Sequence, residues 1–354
     1  MKSFSQPQGS APGNEPKSLP SKTSSASPAY SRRRERVVAG NRDRENLWGA
    51  LRHALWSTEY LTLFMLVIYT TLCLIFLPSI QSPFAILQLN IVVAAATVAF
   101  PLWYDQTGGR LAHIFRSFYI LPIGYMFYAQ IHNYIPLVHP VNYDDVLAAW
   151  DRALFGVNPT EWIHRFANPF LTEYLQVWYN FFQLMLVFPA VSFYRQNAMR
   201  KFRIYSMVVI TGFYLSYLCY FAMPAIGPRF EVHDFHSIDR ELPGVLLTGP
   251  FREFINAGNN ITPQMTDPYA VVNRDCMPSG HTMMSVLGIL MAWRLGSRWR
   301  WFVTVGGVSV VVSTIYLRYH YMVDMMAGTA LAFLVFWAYP WIIHLWEKRW
   351  RVKV

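Results

Sequence analysis

Long apolar runs without a single Asp, Glu, Lys or Arg alternate along this chain with short polar segments. Such runs predict membrane-spanning helices, because charged side chains are costly in hydrocarbon and about 20 apolar residues cross it. Residues 60–104 carry no charge and would extend to about twice the hydrocarbon thickness, so the segment from Pro78 to Pro83 divides them into two spans. The remaining runs predict six more spans, at 117–143, 174–194, 204–228, 276–293, 301–317 and 325–346.

The composition supports this interpretation. Apolar residues make up 54% of the chain and charged residues only 14%, against roughly a quarter in a soluble domain. No strand-like alternation competes with the helical pattern. We therefore predict an all-α, polytopic membrane helix bundle with about eight transmembrane helices. The three cysteines have no paired spacing, which argues against a disulfide framework or a zinc ribbon.

The net charge of +10 lies mostly in the tails, so it does not indicate a nucleic-acid partner. Residues 1–31 are rich in Ser, Pro, Gly and Asn, and Arg32, Arg33, Arg34 and Arg36 follow. A segment so poor in apolar residues cannot offset the entropy of ordering. We predict a disordered, basic cytoplasmic tail at 1–46 and a transmembrane catalytic domain at 47–354.

The distribution of Lys and Arg predicts the orientation, because cytoplasmic loops accumulate these residues. With both termini inside, 23 of the 30 basic residues lie on the cytoplasmic side, in the tails and at 105–116, 195–203 and 294–300. The opposite side holds 13 of the 20 acidic residues and two long segments, 132–173 and 225–279. Since long loops in compact proteins are usually functional or disordered, we expect the active site on the periplasmic, lumenal or extracellular face.

The first candidate motif is Pro278-Ser279-Gly280-His281, directly before a predicted span. Ser279 can cap the helix, and the free amide N–H groups of a first turn form an anion site. The tetrapeptide alone is equally typical of a simple helix cap with an interfacial histidine. A partner motif has to decide between the two.

The second motif provides that partner. His320 and Asp324 are four residues apart, so on a helix the carboxylate can hold one ring nitrogen while the other faces outward as a nucleophile or base. A basic turn lies near the middle of the 38 residues between the two histidines, and each arm of about 18 residues, or about 27 Å, crosses one bilayer. The hairpin is therefore predicted to return His281 and His320 to the same face.

Arg229 and Arg318 are predicted to reach that face as well, and a guanidinium fork suits phosphate oxygens. Arg229 is alternatively an interfacial anchor, and Arg318 an internal ion pair with Asp324 or another acid. Together with the histidines and the helix terminus they suggest phosphoryl transfer. The sequence has no P-loop and no acidic cluster for magnesium, so we expect a side-chain nucleophile and neither a metal nor another cofactor.

These motifs resemble those of the type 2 phosphatidic acid phosphatase superfamily, which has Pro-Ser-Gly-His and then Ser-Arg, five residues, His, three residues, Asp. The resemblance implies a six-helix core in which His320 forms a phosphohistidine, Asp324 orients it, and His281 protonates the leaving oxygen and then activates the acceptor. The residues themselves favour phosphate binding by Arg229, Arg318, Ser279 and Gly280, because guanidinium groups and a helix start both bind anions. Thr314 replaces the motif arginine, and the usual first motif is absent.

Both departures, and a segment from Tyr143 to Trp162 that contains Asp144, Asp145 and Asp151, resemble the branch of inositol phosphorylceramide synthases. That branch implies head-group transfer between membrane lipids, sphingolipids among them. A lipid phosphate phosphatase shares the motifs and remains an alternative, as does, more distantly, a transporter or scaffold. The three aspartates are alternatively part of an amphipathic interfacial helix.

Several other residues are weaker candidates. His233 and His236 have a spacing that can bind metal, but no second pair accompanies them. Glu173, Asn180 and Gln183 either line a cavity or bond a neighbouring helix. Cys276 is either reactive or a small filler.

Overall fold

The computed structural model describes Gly49, Leu51 and residues 54–349 except Pro263, Gln264 and Thr266. The chain divides into two units, residues 1–50 and 51–354. The predicted tail at 1–46 lies outside the described residues.

The described part of the chain is 76% helical and contains no β-strand. The predicted spans correspond to α1 (Ser57–Ile75), α2 (Pro83–Thr107), α4 (Ile120–Ile131), α8 (Pro169–Arg195), α9 (Met199–Cys219), α13 (Gly280–Arg294), α14 (Arg300–Tyr316) and α15 (Met322–His344). The helix α3 (Arg110–Phe118) lies mainly in the basic segment predicted to connect the second and third spans. Among the described residues, five helices are long and apolar enough to cross a membrane: α1, α2, α8, α9 and α15 with its π-helical continuation. The prediction of an all-α polytopic helix bundle is confirmed.

Short helices fill the two long connecting segments. The first segment contains α5 (Ile135–Val138), α6 (Asp144–Phe155) and α7 (Pro159–Ile163), and the second contains α10 (Pro228–Glu231), α11 (Ile238–Glu241) and α12 (Thr248–Gly258). Single 3-10 turns lie at His164–Phe166, Phe235–Ser237 and Pro268–Ala270. These segments are therefore structured and lie beside the helix ends that carry the motifs.

One apolar core joins α8, α9, α13, α14 and α15, and its fully buried residues include Met283, Leu287, Val303 and Val310. A second cluster joins α1, α2, α4 and α9 around Tyr69 and Phe127. Burial of this apolar surface brings the two motif-bearing helices, α13 and α15, side by side.

Polar side chains connect the helices of the second cluster. Gln130 of α4 donates to the Asn90 side-chain oxygen at 2.8 Å, and the Asn90 amide donates to the Thr70 hydroxyl at 3.1 Å. Within hydrocarbon such bonds satisfy groups that would otherwise lack partners. The chain of bonds fixes α1, α2 and α4 relative to one another.

Candidate active site

Ser279 is the N-cap of α13, as the sequence predicts. Its fully buried hydroxyl accepts the Thr282 amide N–H at 3.3 Å, and its own amide donates to the Asp324 carbonyl at 3.1 Å. Gly328 permits this approach, because a Cβ there would lie 2.5 Å from the Ser279 carbonyl oxygen. The start of α13 is thereby tied to the start of α15.

His281 lies in the first turn of α13 among aromatic rings. Its ring stacks on Tyr179 with centroids 4.2 Å apart, and the Phe182 centroid is 4.3 Å away. The ring of His320 lies 5.7 Å away, centroid to centroid. His281 makes no hydrogen bond with any described residue, so both its nitrogens are available to a ligand in the neighbouring pocket.

The His320 ring is oriented through its Nδ1 atom. This nitrogen lies 3.3 Å from Oδ2 of Asp324 and 3.2 Å from the carbonyl oxygen of Cys276, and both of these atoms are acceptors. Nδ1 therefore carries the proton in the neutral ring, which leaves Nε2 with a free lone pair. Asp324 is completely buried and also accepts the amide N–H of Tyr321 at 3.0 Å, so its own position is fixed.

Cys276 contributes more to this arrangement than the sequence indicated. Its thiol donates to Oδ2 of Asp324 at 2.8 Å and lies 3.5 Å from Nδ1 of His320. Burial, reinforced by the Asp324 charge, raises the pKa of the Cys276 thiol well above its ordinary value. The thiol therefore stays protonated and acts as a hydrogen-bond donor to the carboxylate that holds the histidine.

The same three side chains have ligand atoms within 4.8 Å of one another, close enough for a metal ion. A cysteine ligates metal as a thiolate, and the raised pKa of Cys276 opposes ionisation. The geometry of these three side chains thus allows a metal ion, whereas the protonated thiol disfavours one.

Arg229 follows the Gly227-Pro228 pair and is buried beside the aromatic rings of Tyr319 and Phe230. Its guanidinium donates to the Asn256 side-chain oxygen at 3.1 Å but pairs with no carboxylate among the described residues. Burial lowers the pKa of Arg229, the expected result for a cation without a close counter-ion. Such a buried guanidinium is suited to bind an anion.

Arg318 has a different environment. One of its nitrogens lies 2.5 Å from the Glu241 carboxylate and another lies 3.3 Å from Nδ1 of His164. The pKa of Glu241 is lowered, first by the Ser237 hydroxyl and then by Arg318. Of the two roles that the sequence left open for Arg318, the geometry favours the internal ion pair, and the partner acid is Glu241 rather than Asp324.

Two carboxylates of α6 hold the motif-bearing segments in place. Asp144 accepts the amide N–H groups of Ile226 and Gly227 at 2.8–3.1 Å and the Tyr321 hydroxyl at 3.1 Å. Asp151 accepts the amide N–H groups of Met322 and Val323, both at 2.9 Å, at the start of α15. Both side chains are buried, whereas Asp145 is exposed.

The sequence did not predict that Asp144 and Asp151 accept backbone N–H groups of the motif-bearing segments. The interpretation drawn from it for these aspartates was an amphipathic helix at the interface. Their separation of seven residues, two helical turns, places them on one face of α6 and is the sequence signal that was available. Gly227 completes the arrangement: its φ is +100°, and a Cβ there would lie 2.7 Å from the Tyr319 carbonyl oxygen.

A cavity of about 420 Å³ brings most of these groups together. Its lining includes Arg229, Asp275, Gly280, His281 and His320, but neither Ser279 nor Arg318. Its walls carry a guanidinium, two imidazoles and the amide end of a helix, a set that fits a phosphoryl group.

No curated protein and no solved structure matches the chain significantly. A family model described as PAP2 superfamily matches residues 145–338, a segment that contains both histidine motifs. Because this match covers more than half of the chain, the protein belongs to the PAP2 superfamily.

Proposed function

We propose that the protein transfers a phosphorylated head group from a donor membrane phospholipid to a lipid alcohol through a phosphohistidine on His320. PAP2 superfamily membership supports phosphatase- or phosphotransferase-type activity on lipids. The observation that carries the proposal is the His320 ring, whose Nδ1 faces two acceptors while the ring lines a pocket with His281 and Arg229.

In the first step Nε2 of His320 attacks phosphorus, and the bond from phosphorus to the lipid alcohol oxygen breaks. His281, protonated at this stage, gives its proton to that departing oxygen. Arg229 and the amide end of α13 at Gly280 bind the phosphoryl oxygens, with Ser279 acting as the cap. Asp324 stabilises the positive charge that develops on the His320 ring.

In the second step the neutral His281 accepts a proton from the hydroxyl of the acceptor. The acceptor oxygen then attacks phosphorus, the bond to His320 breaks, and both histidines return to their starting states. The protein supplies every proton carrier in this sequence, so the proposed route is independent of metal.

Transfer to a lipid alcohol is favoured over hydrolysis by the surroundings of the pocket. The helix α12 lies beside it, and Phe254 of α12 lines it. Apolar cover shelters a reactive intermediate from water. The resemblance of residues 143–162 to inositol phosphorylceramide synthases points in the same direction and suggests a ceramide-class acceptor.

The proposed site faces the non-cytoplasmic side, with both termini in the cytoplasm. The asymmetry of Lys and Arg supports this orientation. Single cysteines introduced near positions 240 and 255 should react with a membrane-impermeant maleimide from outside, whereas those near 198 and 298 should not. The opposite labelling would place the site in the cytoplasm.

The decisive experiment uses purified protein in vesicles with a phosphoinositide donor, with and without ceramide. Acceptor-dependent formation of a new phospholipid with little water-soluble head-group phosphate would support transfer. Acceptor-independent release of phosphate would identify a lipid phosphatase. Loss of activity with a chelator would revive the metal interpretation of Cys276, His320 and Asp324.

A further inference from the structure

A second cavity, of about 710 Å³, lies between α4, α8, α9 and α12. Its lining is mainly apolar and includes Gly124, Leu184, Val187, Ser206, Val209 and Phe251. We call this cavity the chain groove. Its walls on α8 and α9 belong to helices that are long and apolar enough to cross a membrane, so the groove lies at membrane depth.

The chain groove is continuous with the catalytic pocket. The residues that line both are Tyr125, Gln183, Phe213, Tyr217 and Phe254. Along α8 the groove extends from Asn180 to Ala190, a rise of about 15 Å along the helix axis. An elongated apolar space of this kind, with one end at a phosphate-binding pocket, matches the shape of a lipid with a polar head and hydrocarbon chains.

The chemistry places two different lipids at the same end of this groove. In an in-line displacement the leaving oxygen departs opposite the attacking His320 nitrogen, and the acceptor oxygen must later attack from that same side. His281 serves both oxygens, because it protonates the first and deprotonates the second. The donor's diacylglycerol and the acceptor therefore need the same position at different times.

We propose that the chain groove holds the hydrocarbon chains of both lipid alcohols in turn, first the leaving diacylglycerol of the donor and then the acceptor. This inference rests on the proposed phosphohistidine mechanism and adds the lipid-binding site and its alternating occupancy. The two alcohols compete for one site, and the reaction is a ping-pong exchange.

Gln183 gives the groove a polar contact where it meets the catalytic pocket. Its side chain is exposed and makes no hydrogen bond with any described residue. Because an amide at membrane depth is costly without a partner, a lipid polar group is the natural partner. A ceramide amide can both donate to and accept from Gln183, whereas a diacylglycerol ester can only accept. Gln183 therefore favours the amide-bearing acceptor over the leaving alcohol.

The helix α12 contributes to one wall of the groove, and Glu173 of α8 holds the start of that helix in place. The carboxylate accepts the amide N–H groups of Val245, Leu246, Leu247 and Thr248 and the Thr248 hydroxyl. Phe251 and Phe254, which follow these hydrogen-bonded residues on α12, line the groove. The aromatic side chains of α12 are thereby held against the groove.

The binding test does not depend on turnover, because it uses full-length His320→Asn protein. The probe is a diacylglycerol with a diazirine in its acyl chain, in phosphatidylcholine vesicles. After irradiation, peptide mapping should find the label on groove residues of α8 and α9, and unlabelled ceramide should reduce it. Label confined to α2, or label that excess ceramide does not displace, would overturn the inference.

A substitution that fills the groove with a side chain provides a second test of lipid binding. A Cβ on Gly124 would have no atom within 4 Å, so Gly124→Phe adds a ring to the groove without displacing a neighbour of that carbon. The matched control is Ala95→Phe, an addition to an exposed position of α2. We expect Gly124→Phe to reduce photolabelling by about tenfold relative to the control, the factor that the loss of roughly two buried methylenes would produce. Equal labelling of the two variants would overturn the inference.

Exchange kinetics tests the alternating occupancy in the wild-type protein. With donor phospholipid and radiolabelled diacylglycerol but no ceramide, the label should appear in the donor lipid, because the first step runs backward. Absence of exchange in protein that still transfers to ceramide would overturn the single-site inference. If photolabelling behaves as expected but the wild type only releases phosphate to water, the proposed transfer is wrong and the groove stands.

Discussion

Replacement of Asp144 by asparagine tests whether α6 positions the phosphate-binding arginine. The carboxylate accepts two backbone N–H groups, from Ile226 and Gly227, and the Tyr321 hydroxyl. Asparagine has one acceptor oxygen, so its amide group must face a donor on the other side. The substitution is nearly isosteric. It weakens the hydrogen bond to Gly227, which lies two residues before Arg229.

The expected loss of stability in Asp144→Asn follows from these three hydrogen bonds. A hydrogen bond to a charged group contributes about 1 kcal/mol more than a neutral one, so three weakened bonds amount to about 3 kcal/mol. Burial acts in the opposite direction, because it raises the pKa of Asp144 and so disfavours the carboxylate. We therefore expect a net destabilisation of about 1–3 kcal/mol, which lowers the thermal midpoint by several degrees.

Activity should fall much further than stability. A displacement of about 1 Å in a positioning group lowers turnover by about 100-fold. Because Arg229 follows Gly227 by two residues, we expect a shift of Gly227 to displace Arg229 as well. The assay combines kcat/KM with the inhibition constant of vanadate, a phosphoryl analogue that we expect to bind at Arg229 without requiring the lipid chains. We expect kcat/KM to fall and the vanadate inhibition constant to rise in Asp144→Asn, and the same changes in Arg229→Lys.

The matched control is Asp145→Asn, the same change at the adjacent, exposed position of α6. It should leave stability, kcat/KM and vanadate inhibition near wild type. If Asp144→Asn lowers the thermal midpoint but the folded fraction keeps normal turnover and vanadate affinity, Asp144 has only a structural role. If it behaves like Asp145→Asn in every assay, the inference that Asp144 positions Arg229 is wrong.

Three further predictions concern the histidines and the arginine. His320→Ala should abolish labelling of the protein by a radioactive donor, and wild-type activity in this variant would refute the mechanism. Asp324→Asn should leave about 1% or less of wild-type turnover, because the His320 ring remains but in a poorer orientation. Arg229→Lys should lower kcat/KM by about 10- to 100-fold through loss of the guanidinium fork, and full turnover in this variant would make Arg229 an anchor. Burial, helped by the Arg318 charge, lowers the pKa of His233 to about 4 from 6.5. Between pH 6.5 and 4 the unfolded chain therefore takes up a proton that the folded protein does not. The free energy of unfolding consequently falls as the pH falls through this range. His233→Gln should flatten this fall in the thermal midpoint, and an unchanged pH dependence would show that other groups cause it.

Local patterns carried the prediction of the membrane helices and of both histidine motifs. A run of apolar residues needs no tertiary partner to prefer hydrocarbon, so the spans follow from composition along the chain. The cap at Ser279 depends on one helical turn and appears as predicted. The contact between His320 and Asp324 also forms, but the prediction that both lie on one helix is wrong, because His320 lies in a bend before α15, which begins at Met322. Helix ends were less well predicted: α9 ends at Cys219, although the uncharged run continues to Pro228, because prolines interrupt the chain there.

The contacts that arrange the site depended on tertiary structure. Asp144 reaches amides more than 80 positions away, and Asp151 reaches amides more than 170 positions away. Arg318 pairs with Glu241 rather than with the acid six residues from it, and Cys276 proves to be a donor to Asp324. Hydrophobic periodicity specifies which face of a helix is buried but not which other helix covers it. A buried polar group binds whatever partner the packed bundle places within about 3 Å, so its role is decided only when the helices have come together.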